Sequence, residues 1–282
     1  MRLLRYKLIR DLTIRGRAQA TIRSYVQSVK GLANYYHLSP DLLNQEQIQD
    51  FLFYLATEKN CSNGTLNKVA YALRFFFHTT LERPKVDFVI PSAKKQKALP
   101  VILSRDEIEV LFVHAENLRD LSLVMLGYGV GLRISEVVNL RVEDLDGSRR
   151  TIHVRSGKGN KDRMAGLPDR LYHTLRKYWL AYRPECWLFP SRKFPQRHIT
   201  DAGARVAFEA IRKKSGINKK YTFHSLRHAF ATHLVEAGKD LRAVQQLMGH
   251  KDITSTLIYI HLAKGMLTTL DSPLDLPHES TG

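Results

Sequence analysis

Residues with the side-chain chemistry to hold and attack a phosphate are concentrated in the stretch 222–261. His224 and Arg227 stand three positions apart, and Tyr259 follows His250 by nine residues. Guanidinium and imidazole groups bind phosphate oxygens, and a tyrosine hydroxyl can attack phosphorus as a nucleophile. These residue types therefore predict a site that grips a phosphate and forms a covalent bond to it.

The local sequence pattern places these side chains on helices. Apolar residues recur at three- and four-residue spacing through 225–237, which predicts an amphipathic helix that Gly238 ends. His224 and Arg227 then share one side of its first turn, where the free backbone N–H groups favour an anion. A phosphate held there is expected to be attacked from a separate element that carries Tyr259.

Two more short helices are predicted beyond this one. Asp240 can cap the first, Gly249 ends it, and its inward side is predicted to consist of Leu241, Val244, Leu247 and Met248. The second covers 253–261 and carries Tyr259. His250 lies between the two helices.

Two upstream segments extend the set. Residues 131–136 are Gly-Leu-Arg-Ile-Ser-Glu, and residues 156–161 are Ser-Gly-Lys-Gly-Asn-Lys. Followed by H-x-L-R-H, G-H and Tyr259, they give an ordered series that strongly resembles the tyrosine recombinase family of phage integrases and Xer-like proteins. The resemblance covers the chain from about Leu99 onward, and five motifs in order are far more specific than any one of them.

The resemblance implies a mainly α fold, with an N-terminal four-helix core-binding (SAM-like) domain and a C-terminal mixed α+β catalytic domain of the tyrosine recombinase and type IB topoisomerase kind. It implies six catalytic residues: Arg133, Lys158, His224, Arg227, His250 and Tyr259. Tyr259 would form a covalent 3′-phosphotyrosine, and Lys158, or Lys161 as the alternative, would protonate the departing 5′-oxygen. Fixed cations would stabilise the phosphate charge, so no metal, no other cofactor and no ATP are expected.

The resemblance also implies partners. The expected substrate is double-stranded DNA with recombination sites, which a tetramer on two sites would cut and rejoin through a Holliday junction. A second recombinase or an accessory factor is a further candidate partner. The tail after Tyr259 is expected to dock either on a neighbouring protomer or on its own domain, and the sequence leaves both open.

Residues 1–90 predict a small all-helical domain. Apolar stripes indicate four helices: one around 3–12, one along 21–36, one that Asn44 caps, and one that begins at 62–63. A charged solvent face is the default interpretation of basic residues between such stripes. The resemblance makes five of them candidates for contacts with DNA phosphates: Arg15, Arg17, Arg23, Lys68 and Arg74.

Prolines and lysines interrupt the helical pattern at 91–100. This composition predicts a basic linker between a DNA-clamp domain at 1–90 and a catalytic domain at 101–282. Lys94 and Lys95 make the linker either a strap that contacts DNA or a plain tether.

The catalytic domain is expected to combine helices with one hairpin. A capping box of Ser104 and Glu107 opens its first helix. The glycine-rich turn 157–160, with Lys158 at its tip, is a hairpin signal, and Lys161 beside it is a further candidate for DNA contact. The other predicted elements are helices at 121–128, 168–182 and 200–215 and strands at 151–154 and 163–167.

Other interpretations compete at individual residues. Arg133 follows a glycine-rich turn, where its guanidinium can grip two phosphate oxygens, but an ion pair with Glu136 is the alternative. His224 and His228 are four residues apart on a helix, as zinc ligands can be, although the arginine between them disfavours a cation. Tyr259 taken alone resembles an ordinary core aromatic residue.

Composition narrows the class of protein. The 282 residues carry 44 Lys and Arg against 27 Asp and Glu, a net charge of +17, which favours a polyanionic partner such as nucleic acid. The two cysteines, Cys61 and Cys186, suggest free thiols in a reducing compartment. No apolar run approaches the roughly 20 residues that span a bilayer, so no membrane association is expected. A cytoplasmic, nucleoid-associated location is predicted.

Several functions remain open on the sequence alone. A catalytically silent DNA-binding protein is the main alternative, although every motif position is filled. A relaxing topoisomerase would use similar residues on a single duplex. Among recombinases, chromosome-dimer resolution, phage integration and transposition all fit. Integron-type enzymes carry an additional insertion between the lysine hairpin and the H-x-L-R motif, and its absence here counts mildly against that role. The target DNA sequence is undetermined.

Overall fold

The computed structural model of the chain describes residues 2–83, 100–155, 162–249 and 259. Residues that contact one another in space group into two compact units, 1–97 and 98–282. Several predictions lie outside the described residues: the linker with Lys94 and Lys95, the turn with Lys158 and Lys161, His250, the helix predicted around Tyr259, and the tail. The domain boundaries at 90 and 100 stay a prediction.

The first unit is a bundle of four helices, which confirms the predicted fold of this region. α4 continues into one π-helical turn, Phe76–Thr80, and a short 3₁₀ turn, Pro40–Leu42, joins α2 to α3. The helices are α1 (Arg2–Ile14), α2 (Gln19–Tyr36), α3 (Gln45–Thr57) and α4 (Asn63–Phe75).

Side-chain caps fix where two of these helices begin. The Asn44 side chain accepts the Gln47 backbone N–H at 2.9 Å, and the Gln47 side chain accepts the Asn44 N–H at 3.0 Å. Ser62 accepts the backbone N–H of Thr65 at 3.3 Å at the start of α4. Each such cap contributes about 1 kcal/mol to helix stability. Both were predicted from the sequence.

Apolar residues from all four helices fill the core of this unit. Its fully buried members include Leu8, Leu12, Leu32, Leu73, Phe76 and Phe77. After the π-helical turn, Arg83 donates hydrogen bonds to the carbonyls of Leu43, at 2.7 Å, and Asp41, so the end of the bundle is tied to the α2–α3 connection.

In the part of the second unit that the structure describes, seven helices accompany three strands. A 3₁₀ turn, Val142–Asp144, precedes its sheet. Its elements are α5 (Arg105–Val113), α6 (Leu118–Gly129), α7 (Ile134–Val138), β1 (Leu145–Asp146), β2 (Thr151–Val154), β3 (Arg163–Gly166), α8 (Asp169–Tyr182), α9 (Asp201–Lys214), α10 (Phe223–Glu236) and α11 (Leu241–Met248).

The sheet is a small antiparallel meander in the order β1-β2-β3. Leu145 pairs with Ile152, and Ile152 pairs with Ala165. The hairpin of β2 and β3 confirms the prediction, whereas β1 was not predicted. The predicted capping box of α5 is also present, since Ser104 and Glu107 bond each other's backbone N–H groups at 3.2 and 2.7 Å.

Helix α6 is the centre of the second unit and contacts α5, α7, α8, α9 and α10. It approaches α10 closely at Gly127, where a Cβ atom would lie 2.8 Å from the Phe223 ring. Because α7 follows α6 after one turn, this contact brings the start of α7 next to the start of α10. These are the two places where the predicted arginines lie.

One burial prediction is wrong. Leu247 was expected on the inward side of α11, but it is 37% exposed, whereas Val244 and Met248 are fully buried. An eight-residue helix buries only a narrow stripe, and Leu247 falls beside that stripe. No helix in the part of the chain that the structure describes has the length and apolar character to cross a membrane.

Candidate active site

Arg133 is placed by the turn between α6 and α7. Gly131 has a φ of +67°, and a Cβ atom there would lie only 2.4 Å from Cδ1 of Phe230. Only glycine therefore fits without a change in its surroundings. The turn leaves Arg133 as the N-terminal cap of α7, with its side chain 22% exposed.

Glu136, on the first turn of α7, is the hub of the site. Its carboxylate accepts Nη1 of Arg133 at 2.6 Å and the Arg133 backbone N–H at 2.9 Å. It also accepts both terminal nitrogens of Arg163, at 3.1 and 2.9 Å. Nη1 of Arg227 lies 3.8 Å away. The ion pair of Arg133 and Glu136 is therefore present, and it belongs to a larger cluster.

The charges of this cluster do not cancel. Burial by itself would raise the pKa of Glu136, but the hydrogen bonds and charges of Arg163 and Arg133 outweigh it and hold the pKa at about 2. One carboxylate then faces three guanidinium groups, which leaves two positive charges in excess. This excess makes the cluster suited to a doubly charged anion.

Arg227, in the second turn of α10, is only 1% exposed. It donates hydrogen bonds from Nη1 to the carbonyl of Gly131 and from Nη2 to the carbonyl of Met248. Burial, helped by the charge of Arg133, lowers its pKa to about 10, which still leaves the group protonated at neutral pH. A buried arginine that joins the α6–α7 turn to the end of α11 is a costly feature of the kind found at functional sites.

His224 lies at the start of α10, at the edge of a recess that it shares with Arg133. The recess has a volume of about 600 Å³, and Arg205 of α9 and Tyr221 also line it. His224 is exposed as a whole residue, but partial burial of its ring, followed by the charges of Arg227 and Arg133, lowers its pKa below the usual value. At neutral pH the imidazole is therefore uncharged and retains one N–H donor.

Tyr259 is 1% exposed and lies in a small apolar cluster with Ala231, Val235, Val244 and Met248. Its hydroxyl is 3.0 Å from Nδ1 of His228. Burial raises the pKa of Tyr259, while the charges of Arg227 and Arg133 act in the opposite direction. The phenol is therefore neutral at rest, because burial has the larger effect on its pKa. The nearby charges of Arg227 and Arg133 reduce the cost of ionising it.

His228 connects this tyrosine to His224. The rings of His224 and His228 meet edge to face, with centroids 4.5 Å apart. Burial, followed by the charges of His224 and Arg227, lowers the pKa of His228 to about 4. His228 is therefore a neutral hydrogen-bonding group over the whole physiological range.

The structure brings together four of the six predicted catalytic residues: Arg133, His224, Arg227 and Tyr259. Lys158 and His250 lie outside the described residues. Their neighbours on the chain nevertheless meet at this site, because Arg163 at the start of β3 binds Glu136, and a Cβ atom on Gly249 would lie 3.3 Å from Cδ of Arg163.

The sequence pattern assigns no role to Arg163, offers His228 only as an alternative metal ligand, and gives Glu136 only as a competing partner for Arg133. Arg163 reaches Glu136 across 27 positions, and no spacing rule reveals such a contact. One feature of the sequence does point to His228: it directly follows Arg227, a predicted catalytic residue.

The predicted DNA contacts of the first unit lie on or near its surface. Arg15, Arg17, Arg23 and Lys68 are exposed, whereas Arg74 is half-buried. The Arg15 guanidinium lies 5.4 Å from the centre of the Phe75 ring, so the α1–α2 turn contacts the end of α4. Lys94, Lys95 and Lys161 lie outside the described residues.

Comparison with known proteins identifies the family of this chain. The Phage integrase family profile matches residues 102–266, and the profile of the phage integrase N-terminal SAM-like domain matches residues 4–86. The chain is 38% identical to the y4qK protein of Sinorhizobium fredii over 97% of its own length and 89% of that protein. It is 33% identical to the tyrosine recombinase XerD of Listeria monocytogenes, over 89% and 90% of the two chains.

Solved structures show the same fold. The XerH site-specific recombinase superposes with a TM-score of 0.70 at 21% identity, over 90% of this chain and 79% of that one. With the family profiles and the relatives above, this likeness identifies both the helical bundle and the unit that holds the arginines and the tyrosine. The chain belongs to the phage integrase family and is a tyrosine-type site-specific recombinase.

Proposed function

We propose that this enzyme cuts and rejoins double-stranded DNA through a covalent 3′-phosphotyrosine on Tyr259 and a Holliday-junction intermediate. The observation that carries the proposal is the convergence of four residues: Arg133 and His224 line one recess, and the buried Arg227 and Tyr259 lie close to them. The solved XerH recombinase is bound to a palindromic difH substrate, and the solved Tn1549 integrase is in complex with circular intermediate DNA, which supports DNA as the partner.

The reaction exchanges one phosphate ester for another. The Tyr259 oxygen forms a bond to phosphorus as the bond to the 5′-oxygen breaks, and the leaving oxygen takes a proton from Lys158. His224 hydrogen-bonds a phosphate oxygen or helps the phenol to lose its proton. The free 5′-hydroxyl of a partner strand later attacks the phosphotyrosine. Because the linkage keeps the bond energy, the exchange requires no ATP.

Charge stabilisation is the largest contribution that the protein makes. Two additional positive charges beside Glu136 match the two negative charges of the phosphorus centre in the transition state, and Arg133, Arg227 and His250 are the proposed donors. Since Arg133 and Arg227 are held by hydrogen bonds before DNA binds, they need no reorganisation during the reaction. They also fill the role that a metal ion has in other phosphoryl transfers, so no metal is required.

The proposal assigns binding to the rest of the chain. Residues 1–90 would hold the DNA backbone, residues 91–100 would link them to the catalytic domain, and two sites would be joined in a tetramer. Basic residues that support backbone binding are Arg15, Arg17, Arg23, Lys68, Arg74, Lys94, Lys95 and Lys161. A DNA substrate and the two thiols, Cys61 and Cys186, support a location in the cytoplasm, on the nucleoid.

The test is covalent trapping with Tyr259→Phe. Wild-type protein and the variant are incubated, with EDTA, with nicked duplexes that carry a randomised segment, and DNA joined to protein after denaturation is recovered and sequenced. We expect an adduct with one enriched sequence from the wild type and none from Tyr259→Phe, because the variant lacks the attacking oxygen.

Tyr128→Phe is the matched control. Its hydroxyl also hydrogen-bonds a histidine of α10, since it lies 2.9 Å from Nδ1 of His233, but it is not part of the site. This variant should form adducts at the wild-type rate. Tight, sequence-selective binding by the wild type with no adduct would instead support a silent DNA-binding protein.

A further inference from the structure

His228 contacts the proposed nucleophile directly. Its Nδ1 lies 3.0 Å from the Tyr259 hydroxyl, and Tyr259 is otherwise enclosed by protein, with 1% of its surface exposed. On the same helix, His224 is four residues earlier and Arg227 one residue earlier. One helix therefore carries two proposed phosphate-binding groups and the group that contacts the attacking hydroxyl.

The relative proton affinities of His228 and Tyr259 decide whether His228 can act as a base for the Tyr259 hydroxyl. The pKa of His228 is about 4, and that of Tyr259 is raised above its ordinary value of 10.0. Transfer of the phenol proton to His228 is therefore strongly unfavourable in the resting protein, because the two pKa shifts lie in opposite directions. His228 is a poor base for the nucleophile, and its contact with Tyr259 is a hydrogen bond between two neutral groups.

We propose that His228 is a positioning residue: its Nδ1 accepts the hydroxyl proton of Tyr259 in a hydrogen bond and so fixes the direction of the oxygen lone pairs before DNA binds. With the O–H bond aimed at His228, the lone pairs stay available for phosphorus. The inference rests on the proposed function, because it concerns the same nucleophile.

A neutral pair of this kind fits the surroundings. Arg133 and Arg227 already supply positive charge near Tyr259, and a charged imidazole beside them would add repulsion. The edge-to-face contact with His224 further restricts the His228 ring. Misplacement of a reacting group by about 1 Å can cost about a hundredfold in rate, which sets the scale of the expected effect.

The test compares His228→Phe and His228→Asn in single-turnover adduct formation, with a nicked duplex that carries the sequence recovered from wild-type adducts. We expect His228→Phe to lower the rate about a hundredfold, with the DNA dissociation constant within about twofold of wild type. His228→Asn places an amide near the position of Nδ1, so it should recover the rate to within about tenfold of wild type. Equal rates for wild type and His228→Phe would overturn the proposal.

His233→Phe is the matched control. It removes a histidine from the same helix whose Nδ1 also hydrogen-bonds a tyrosine hydroxyl, that of Tyr128, at 2.9 Å. This variant should keep the wild-type rate. If it loses as much activity as His228→Phe, both changes act on the helix as a whole, and the positioning role is wrong.

A second substrate separates an effect on nucleophilic attack by Tyr259 from an effect on departure of the 5′ leaving group. In a duplex with a 5′-bridging phosphorothiolate, the leaving thiolate needs no proton, so defects in leaving-group protonation disappear. We expect the loss in His228→Phe to persist on this substrate, because the residue acts on the nucleophile. Full recovery of the rate would assign His228 to the leaving group and overturn the inference.

A DNA-free measurement keeps the two proposals distinguishable. Protein labelled with 3-fluorotyrosine gives a ¹⁹F resonance for Tyr259 that Tyr259→Phe identifies. This resonance should shift in His228→Phe and return towards its position in His228→Asn. If the wild type forms no adduct but the resonance shifts, the proposed function fails and the hydrogen bond stands; an unchanged resonance refutes the hydrogen bond.

Discussion

At the scale of single residues, Glu136 has the widest influence in the site. Its carboxylate binds Arg133 and Arg163 directly and lies 3.8 Å from Arg227. A buried carboxylate would be costly by itself, and so would three clustered guanidinium groups. The two costs offset each other only while Glu136 is ionised.

Replacement of Glu136 by glutamine tests this balance. The folded-state pKa of about 2 is below the ordinary value of 4.5, so the carboxylate stabilises the fold above pH 4.5 and loses this effect as the pH falls towards 2. The difference corresponds to about 3 kcal/mol near neutral pH. Urea unfolding should show Glu136→Gln less stable than wild type by about that amount at pH 7 and by about half as much at pH 3.

Glu109→Gln provides the comparison. Glu109 binds Arg170 at 2.5 Å, but both side chains are at least half exposed, so the ion pair is screened by solvent. This variant should lose less than about 1 kcal/mol at pH 7. A similar loss in both variants would mean that the cluster around Glu136 confers no special stability.

At the scale of elements, the α6–α7 turn determines the position of the first arginine. Gly131 combines a positive φ with direct contact to Phe230 on α10. The turn therefore sets both the direction of α7 and its distance from α10.

Gly131→Ala should destabilise the protein by about 2–5 kcal/mol. A left-handed conformation costs alanine about 1–2 kcal/mol, and the clash with Phe230 adds about 1–3 kcal/mol. Gly238→Ala is the control, since Gly238 has a φ of +72° and open space around it, and should cost only about 1–2 kcal/mol. Denaturant unfolding measures both, and equal losses would show that the contact with Phe230 has no energetic weight.

Most elements could be predicted from the sequence, because local signals specify them. The caps at Asn44 and Ser104 and the period of the apolar residues fix helix type and limits to within a few residues. Strand β1 is only two residues long, too short to show any period, and it exists because β2 pairs with it. The exposure of Leu247 depends on which elements pack against α11. The spacing of apolar residues in the sequence does not predict that packing.

At the scale of the whole molecule, the basic charge is shared by both units. Residues 1–97 contain 16 Lys and Arg against 7 Asp and Glu, and residues 98–282 contain 28 against 20. The first unit therefore has the greater excess of positive charge for its length. This distribution supports the proposed contacts of the first unit with the DNA backbone.

Arg17→Ala combined with Arg23→Ala should weaken DNA binding and reduce its salt dependence. Each lost phosphate contact lowers the slope of log K against log salt by about 0.9, so the double variant should lose about 1.8. Fluorescence anisotropy across a KCl series, in a Tyr259→Phe background that prevents cleavage, gives both slopes.

Arg10→Ala is the matched control, because Arg10 is exposed on α1 but paired with Asp11 at 3.0 Å. It should leave the slope within about 0.3 of the wild-type value. A slope that is unchanged in the double variant would remove Arg17 and Arg23 from the interface.

The site could be predicted only in part, for reasons of distance along the chain. Residue types and motif order indicated Arg133, His224, Arg227 and Tyr259, which the structure brings together. The contacts that hold them there join residues 27 and 96 positions apart, as between Arg163 and Glu136 and between Arg227 and Gly131. Such contacts depend on how the helices fold against one another and leave no local trace in the sequence.

The two carbonyls bound by Arg227 have a consequence for folding. If α11 frays, the carbonyl of Met248 leaves, and a buried cation loses a partner that water cannot easily replace. The α6–α7 turn, α10 and α11 are therefore expected to open as one cooperative unit, with similar amide exchange rates. An incompletely folded chain is therefore expected to lack the proposed site and to leave DNA strands uncut.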